Sequence, residues 1–324
     1  MNDIFAEPLI FLAGPTAIGK TEIALHIAER FNCEIIGVDS MQIYQYMDIG
    51  TAKPGRAERA RVRHHLIDYI KPDGQYNAAR FVRDCRRAIS EIRGRGRVPL
   101  LTGGTGLYFT ALQDGIFSMP EIEQSVRADI QSRLAADGGC RQLYEELKQS
   151  DPESAARIHA NDTYRITRAL EIYRTTGKTW ASFIAAHRNR QAAAPRKRIL
   201  KIALTRARDE LYQRINQRVG IMIEQGLLAE VEGLLAMGFT AALKSMQSLG
   251  YRHMVNFINH TWSWQEALEL LARDTRRYAK RQLTWFKADK EIIWLPPDKQ
   301  DEIFTMVDDF LNNTEQLAGR NIEV

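Results

Sequence analysis

Eight consecutive residues near the amino terminus, Gly14, Pro15, Thr16, Ala17, Ile18, Gly19, Lys20 and Thr21, fit the pattern G-x-x-x-x-G-K-[ST]. Such a loop curls so that successive backbone N–H groups point inward, and a helix starting at its end adds about half a positive charge at the same point. The chemistry is diphosphate binding. Lys20 meets the terminal phosphate and Thr21 is placed to ligate Mg²⁺. The loop reads phosphates and not a base, which leaves the rest of the ligand open. Asp39, at the end of the run EIIGVDS, offers a carboxylate that could coordinate Mg²⁺, accept a proton or simply cap a strand end. The stretch TGGTG at 102–106 is a second glycine loop in which Thr105 could donate to a phosphate oxygen, although glycine-rich strand exits often serve packing alone.

These residues require a frame that brings them together. PLIFLA at 8–13 is a short apolar run that suits a strand buried on both faces. From Gly19 to Phe31 the positions Ile23, Ala24, Ile27, Ala28 and Phe31 fall at helical spacing, with Glu22 supporting the first turn. EIIGVDS predicts a second strand ending at Asp39. Asn77 predicts the cap of a helix to about Arg93, broken by Gly94 and Gly96, and VPLLT at 98–102 predicts a third strand. The alternation indicates an α/β fold, a P-loop NTPase-like parallel sheet core whose ligands lie outside the carboxyl ends of the strands. After Met119-Pro120 the texture turns helical, with runs beginning near Glu121, Gln142, Asp151 and Asp162, until AAAPRKR at 192–198 and the strand ILKIAL at 199–204. The predicted organisation is therefore a first core segment at 1–118, a helical insertion domain at 119–197, and a core return with a basic helical region at 198–324. Seven acidic residues between Asp298 and Val324, against Lys299 and Arg320, predict a solvated end.

The 324 residues are 44% hydrophobic and 26% charged, which excludes a collagenous, disulfide-scaffold or wholly disordered chain. Cys33, Cys85 and Cys140 are too few and too scattered for a disulfide framework or a four-ligand zinc site, and a reducing cytoplasm is expected. The amino terminus lacks the positive region of a signal peptide, and no stretch approaches the ~20 apolar residues that span a bilayer. His64 and His65 have no carboxylate or cysteine partner at metal spacing and are read as structural. The net charge of +5 is matched by one segment alone. Arg273, Arg276, Arg277, Lys280, Arg281, Lys287 and Lys290 outnumber Asp274 and Asp289 within eighteen residues. Arg273, Arg277, Lys280, Thr284 and Lys287 fall near one helical face, interleaved with Tyr278, Trp285 and Phe286, the mixture that grips phosphates and stacks on unpaired bases. The same composition suits a solvated charged face with its aromatics in the core. A second run, Arg188, Arg190, Arg196, Lys197, Arg198 and Lys201, fits an RNA contact or a solvated linker equally.

Taken together, GPTAIGKT at 14–21, DSMQIY at 39–44, MDIGTAKP at 47–54, HHLID at 64–68, GGTGLY at 103–108, ALEIYRTTGK at 169–178, SLGYR at 248–252 and AKRQLTWF at 279–286 resemble the tRNA dimethylallyltransferase (tRNA isopentenyltransferase) family of bacterial type, from residue 9 to about 295. The resemblance implies an enzyme, a prenyltransferase. It moves the dimethylallyl group of dimethylallyl diphosphate to the exocyclic N6 of adenosine 37 in tRNAs reading codons that begin with U, giving N6-isopentenyladenosine and diphosphate, with Mg²⁺ and without nucleotide hydrolysis. It makes Asp39 the acceptor of the N6 proton, and adds Thr105 and Arg127 to Lys20 and Thr21 as groups that stabilise the departing diphosphate. It places Asp39, Ser40, Met41 and Gln42 around a flipped-out adenine, with Gln42 reading its edge. It assigns tRNA contacts to Thr105, Arg127, Tyr164, Arg165, Ile166, Thr167 and Arg168, to Gln247, Ser248, Leu249, Gly250, Tyr251 and Arg252, and to Lys280, Arg281, Gln282, Leu283, Thr284, Trp285, Phe286 and Lys287. The implied partners are the tRNA anticodon stem-loop and dimethylallyl diphosphate, with no membrane, for a monomer in the cytoplasm.

Two positions depart from the family's commonest pattern, Ile18 in the phosphate loop and Thr163-Tyr164 where Pro-Gln is usual. Neither removes a donor that the chemistry uses. Three other readings stay open on residues alone: a small-molecule or nucleotide kinase, an adenylate isopentenyltransferase acting on a free nucleotide, and a non-catalytic P-loop RNA-binding protein.

Overall fold

The computed structural model describes residues 4–115, 121–192 and 197–312. Met119-Pro120, most of the 192–198 turn and the acidic stretch beyond 312 lie outside them, as do the side chains of Arg188, Arg190 and Arg196. The chain divides into two compact units, 1–113 with 197–324, and 114–196.

In chain order the elements are β1 (Leu9–Ala13), α1 (Lys20–Arg30), β2 (Cys33–Val38), α2 (Arg56–Arg61), β3 (His64–His65), α3 (Ala78–Gly94), β4 (Val98–Gly103) and α4 (Gly106–Asp114). The second unit follows with α5 (Gln124–Ala135), α6 (Gly139–Ser150), α7 (Pro152–Ala155), α8 (Thr163–Thr176) and α9 (Trp180–Ala192). The chain then returns through β5 (Ile199–Leu204), α10 (Arg208–Glu224), α11 (Leu227–Ala236), α12 (Tyr251–Ile258), α13 (Trp264–Lys287), β6 (Ile293–Leu295) and α14 (Gln300–Asn312).

The six strands form one parallel sheet in the order β3-β2-β4-β1-β5-β6. Alternate residues of the central strands serve opposite faces, as the pleat requires. Phe11, Ile36 and Leu101 pack with Phe81, Cys85 and Ile89 of α3, while Ile10, Leu12, Ile35 and Leu100 pack with Ile23 and Ile27 of α1 and Ile215 of α10. The side chain of Asn77 accepts the Arg80 N–H and caps α3. β2 stops at Val38, so Asp39 stands just past the strand and not within it. β3 and β6 escape a sequence reading because two and three residues carry no periodicity.

The carboxyl-terminal segment corrects an expectation. Ile303, Val307 and Phe310 of α14 are buried against α1, while Asp301, Glu302, Asp308 and Asp309 face outward. Spacing at i, i+4 and i+7 gives the helix an apolar stripe that the count of acids concealed.

In the second unit Asp151 accepts the Ser154 N–H and Asp162 that of Arg165, starting α7 and α8 where the sequence suggested. Its core is built from Ile130, Leu143, Leu147, Ile166 and Leu170. Among the described residues no helix is long and apolar enough to cross a membrane.

Candidate active site

Ala13 of β1 and Val38 of β2 both pair with Gly103 of β4. The loops leaving these three strands therefore share one edge of the sheet, and they carry the phosphate-loop motif, Asp39 and the second glycine loop. They border a cavity of about 940 Å³ whose walls include Thr16, Lys20 and Thr21, then Asp39 to Gln42, and Tyr278 of α13. Gly19, the N-cap of α1, has φ 105°, a left-handed value that glycine takes without strain, and this turns the loop into the helix. Ile18 is buried in the core, which accounts for an apolar residue at that position.

Lys20 Nζ donates to the carbonyls of Gly14 at 2.9 Å and Pro15 at 2.7 Å. Burial, reinforced by the nearby Arg218 guanidinium, pulls its pKa down to about 7, and the Asp39 carboxylate opposes the fall. The loop is held from outside by three arginines that the sequence reading missed. Arg206 Nε donates to the Ile18 carbonyl at 3.2 Å, Arg214 Nε to the Ala17 carbonyl at 2.9 Å, and Arg218 Nη1 to Thr16 Oγ1 at 3.5 Å. Arg214 and Arg218 are one turn apart on α10, and both line the cavity. That i, i+4 spacing was visible in the sequence, but nothing there joined α10 to a loop some 200 residues earlier.

Asp39 Oδ1 accepts the backbone N–H groups of Met41 at 2.8 Å and Gln42 at 3.2 Å. The carboxylate thus closes its own turn, as a strand-end cap would, and also faces the cavity. Its field reaches Arg218 and Tyr278. Burial first and that field second raise the Tyr278 phenol, which stays a hydroxyl donor. Thr105 Oγ1 accepts the Ser40 N–H at 3.1 Å, tying the second glycine loop to the turn after Asp39. Gln42 is more constrained than expected. Its Nε2 donates to the carbonyls of Thr51 at 3.2 Å and Ala52 at 3.1 Å, leaving Oε1 as the part of the amide without a bond among the described residues.

Among the described residues there is no group of three or more His, Cys, Asp or Glu that could hold a metal ion. Mg²⁺ typically retains several waters and takes one or two protein oxygens beside substrate phosphates, and Thr21 with Asp39 on the same cavity fits that habit.

Residues 42–289 match the family described as IPP transferase. The chain belongs to the IPP transferase family. It is 47% identical over 307 residues to a tRNA dimethylallyltransferase of Desulfotalea psychrophila, covering 95% of this chain and 96% of the relative. It is 44% identical over 300 residues to the tRNA dimethylallyltransferase of Geobacter metallireducens, covering 92% and 96%. Among solved structures it resembles the full-length tRNA isopentenylpyrophosphate transferase of Bacillus halodurans with a TM-score of 0.70, at 36% identity over 94% of this chain and 97% of that one. A eukaryotic dimethylallyltransferase described as acting on tRNA gives a TM-score of 0.75 at 28% identity, over 94% and 79%.

The segments that the IPP transferase resemblance assigns to RNA divide by burial. On α13 the expected cationic face is present, since Arg273, Arg277, Lys280, Thr284 and Lys287 are all exposed, and Trp285 is 44% exposed. Arg252, Arg273 and Arg277 gather around Asp274, with Arg273 Nε at 3.0 Å and Arg277 Nη1 at 3.7 Å. Several residues of these segments point inward. Tyr251 is fully buried with its hydroxyl donating to Glu230 at 2.6 Å, Phe286 lies in the core, and Gln282 is 5% exposed and bonded to both glycine loops. Leu283 is half-buried against the core, and Gly250 is buried. Gln247 is exposed, while Ser248 and Leu249 are half-buried and line the cavity.

In the second unit Ile166 and Thr167 are buried. Tyr164 is 76% exposed and Arg165 pairs with Asp162. Arg127 and Arg168 both pair with Glu171, at 3.5 and 2.8 Å.

Proposed function

We propose that the chain transfers the dimethylallyl group of dimethylallyl diphosphate to N6 of adenosine 37 in tRNAs that read codons beginning with U, working as a monomer in the cytoplasm on the anticodon stem-loop. The observation that carries this reading is one cavity bordered by an anion cradle and by a carboxylate. An exocyclic adenine amine has its lone pair delocalised into the ring and is a poor nucleophile. Attack of N6 on the allylic carbon forms the C–N bond and breaks the C–O bond, whose electron pair leaves with diphosphate. The N6 proton passes to Asp39, whose Oδ1 is already engaged by the Met41 and Gln42 N–H groups.

Growing charge on the leaving group is met by the loop amides, Lys20 and the arginines of α10, positioned before the reaction begins. Thr105 adds a hydroxyl, and Arg127 is the further cation that the family pattern assigns to the anion. Mg²⁺ held through Thr21 would neutralise part of the diphosphate charge. The adenine enters beside Asp39, Ser40, Met41 and Gln42, which requires it to leave its stack and accounts for a preference for a single-stranded loop. The exposed cations of α13 grip the backbone, with Trp285 as a stacking surface.

The test is incubation with labelled dimethylallyl diphosphate and an anticodon stem-loop bearing adjacent adenosines, followed by digestion to nucleosides. Label in N6-isopentenyladenosine is expected. Consumption of ATP with dimethylallyl diphosphate untouched would replace this reading with a kinase, and label on AMP in preference to RNA would replace it with a free-nucleotide transferase.

A further inference from the structure

Gln282 lies on the face of α13 opposite its exposed cations, and its carboxamide bridges two loops. Its Oε1 accepts the Thr16 N–H at 2.9 Å and its Nε2 donates to the Gly104 carbonyl at 2.9 Å. Each of these groups belongs to a peptide plane held at its other end too. The Pro15–Thr16 peptide offers its carbonyl to Lys20 Nζ at 2.7 Å. The Gly104–Thr105 peptide donates its N–H to the Val38 carbonyl at 3.2 Å, one residue before Asp39. One buried side chain therefore orients the peptide that holds the phosphate-binding lysine and the peptide beside the catalytic aspartate. The fit is close, because a Cβ on Gly104 would stand 2.1 Å from Gln282 Nε2. One turn on, Trp285 packs on Gly106, where a Cβ would meet its ring at 2.2 Å. Arg281 and Thr284, the neighbours of this bridging face, are exposed.

We infer that Gln282 is the positioning residue through which RNA on the outer face of α13 sets the geometry of the diphosphate cradle. This rests on the RNA and diphosphate assignments above. A peptide plane pinned by two hydrogen bonds moves with either partner, so a shift of α13 on binding a polyanion reorients the Pro15–Thr16 peptide and, through it, the Lys20 ammonium. Linkage is reciprocal, and each ligand tightens the other.

The experiment measures the affinity of the wild-type chain for inorganic diphosphate with Mg²⁺, alone and with saturating anticodon stem-loop. RNA is expected to tighten diphosphate binding by about tenfold, in the usual range for coupled sites. Gln282→Met removes the bridge from one side, and Gly104→Ala expels the amide from the other. Both should bring the ratio below about twofold, with stem-loop affinity measured alone near the wild-type value and each variant assayed well below its own lowered thermal midpoint. A wild-type ratio of one, or an undiminished ratio in both variants, overturns the inference while leaving the transferase reading intact. A wild-type chain that binds neither ligand overturns both.

Discussion

Lys20 and Asp39 line one cavity, and the aspartate's charge works to keep the lysine protonated where burial and Arg218 push it toward neutrality. The two groups proposed to serve opposite ends of one alkylation are thus also electrostatically dependent on each other. Arg218 takes part in the same balance: burial pulls its own pKa down while Asp39 supports its charge.

The Lys20 pKa of about 7 gives diphosphate binding a pH dependence with a definite sign. Below this value the ammonium is present before binding. Above it the site must take up a proton to pair with the anion, so affinity falls as pH rises from about 7 to 9. Calorimetry at pH 8 in buffers of different ionisation enthalpy should show proton uptake that Lys20→Met abolishes. The folded pKa lies below the ~10.4 of a free lysine, so the unfolded chain binds more protons across that window. The lysine's contribution to stability accordingly rises from pH 7 toward 10.5, and the Met variant should lose that rise in denaturant titrations.

Asp39→Asn retains an oxygen that can accept the Met41 and Gln42 N–H groups, so the turn survives while the proton acceptor is lost. Single-turnover transfer should drop by roughly 10²–10⁴-fold with stem-loop affinity unchanged. A rate within threefold of wild type would remove Asp39 from the chemistry.

Replacing Arg277, Lys280 and Arg281 together by alanine should weaken stem-loop binding and lower the slope of log affinity against log salt by about 1 for each RNA phosphate that these cations neutralise. All three are exposed, so thermal stability should hardly change. An unaltered slope would leave this face of α13 simply solvated.

Truncation of Ile303 to alanine tests the packing of α14 on α1. A fully buried isoleucine should cost about 2–5 kcal/mol in chemical denaturation, whereas Asp308→Asn on the outer face should stay within about 0.5 kcal/mol. Equal, small effects would mean that the helix contributes nothing to the core.

The phosphate loop, its strand and its helix were legible because each is local: a glycine pattern, an apolar run and a 3.6-residue period occupy adjacent stretches of chain. Asp39 and Thr105 were legible for a related reason, since strand ends in a parallel sheet share one edge whatever the loops between them. The burial of Tyr251, Gln282 and Phe286 was not, because their types suit an RNA surface as well as a core, and only the neighbours decide.

By itself the sequence determined the parallel α/β core, the anion cradle, the candidate proton acceptor and the family, because periodicity, motif spacing and residue identity survive without any contact being known. Tertiary structure alone decided which arginines brace the loop, how Gln282 joins Thr16 to Gly104, and which face of α14 is dry. Those relations link residues up to 266 positions apart, and no local pattern records a pairing that the chain makes only when the sheet has brought its ends together.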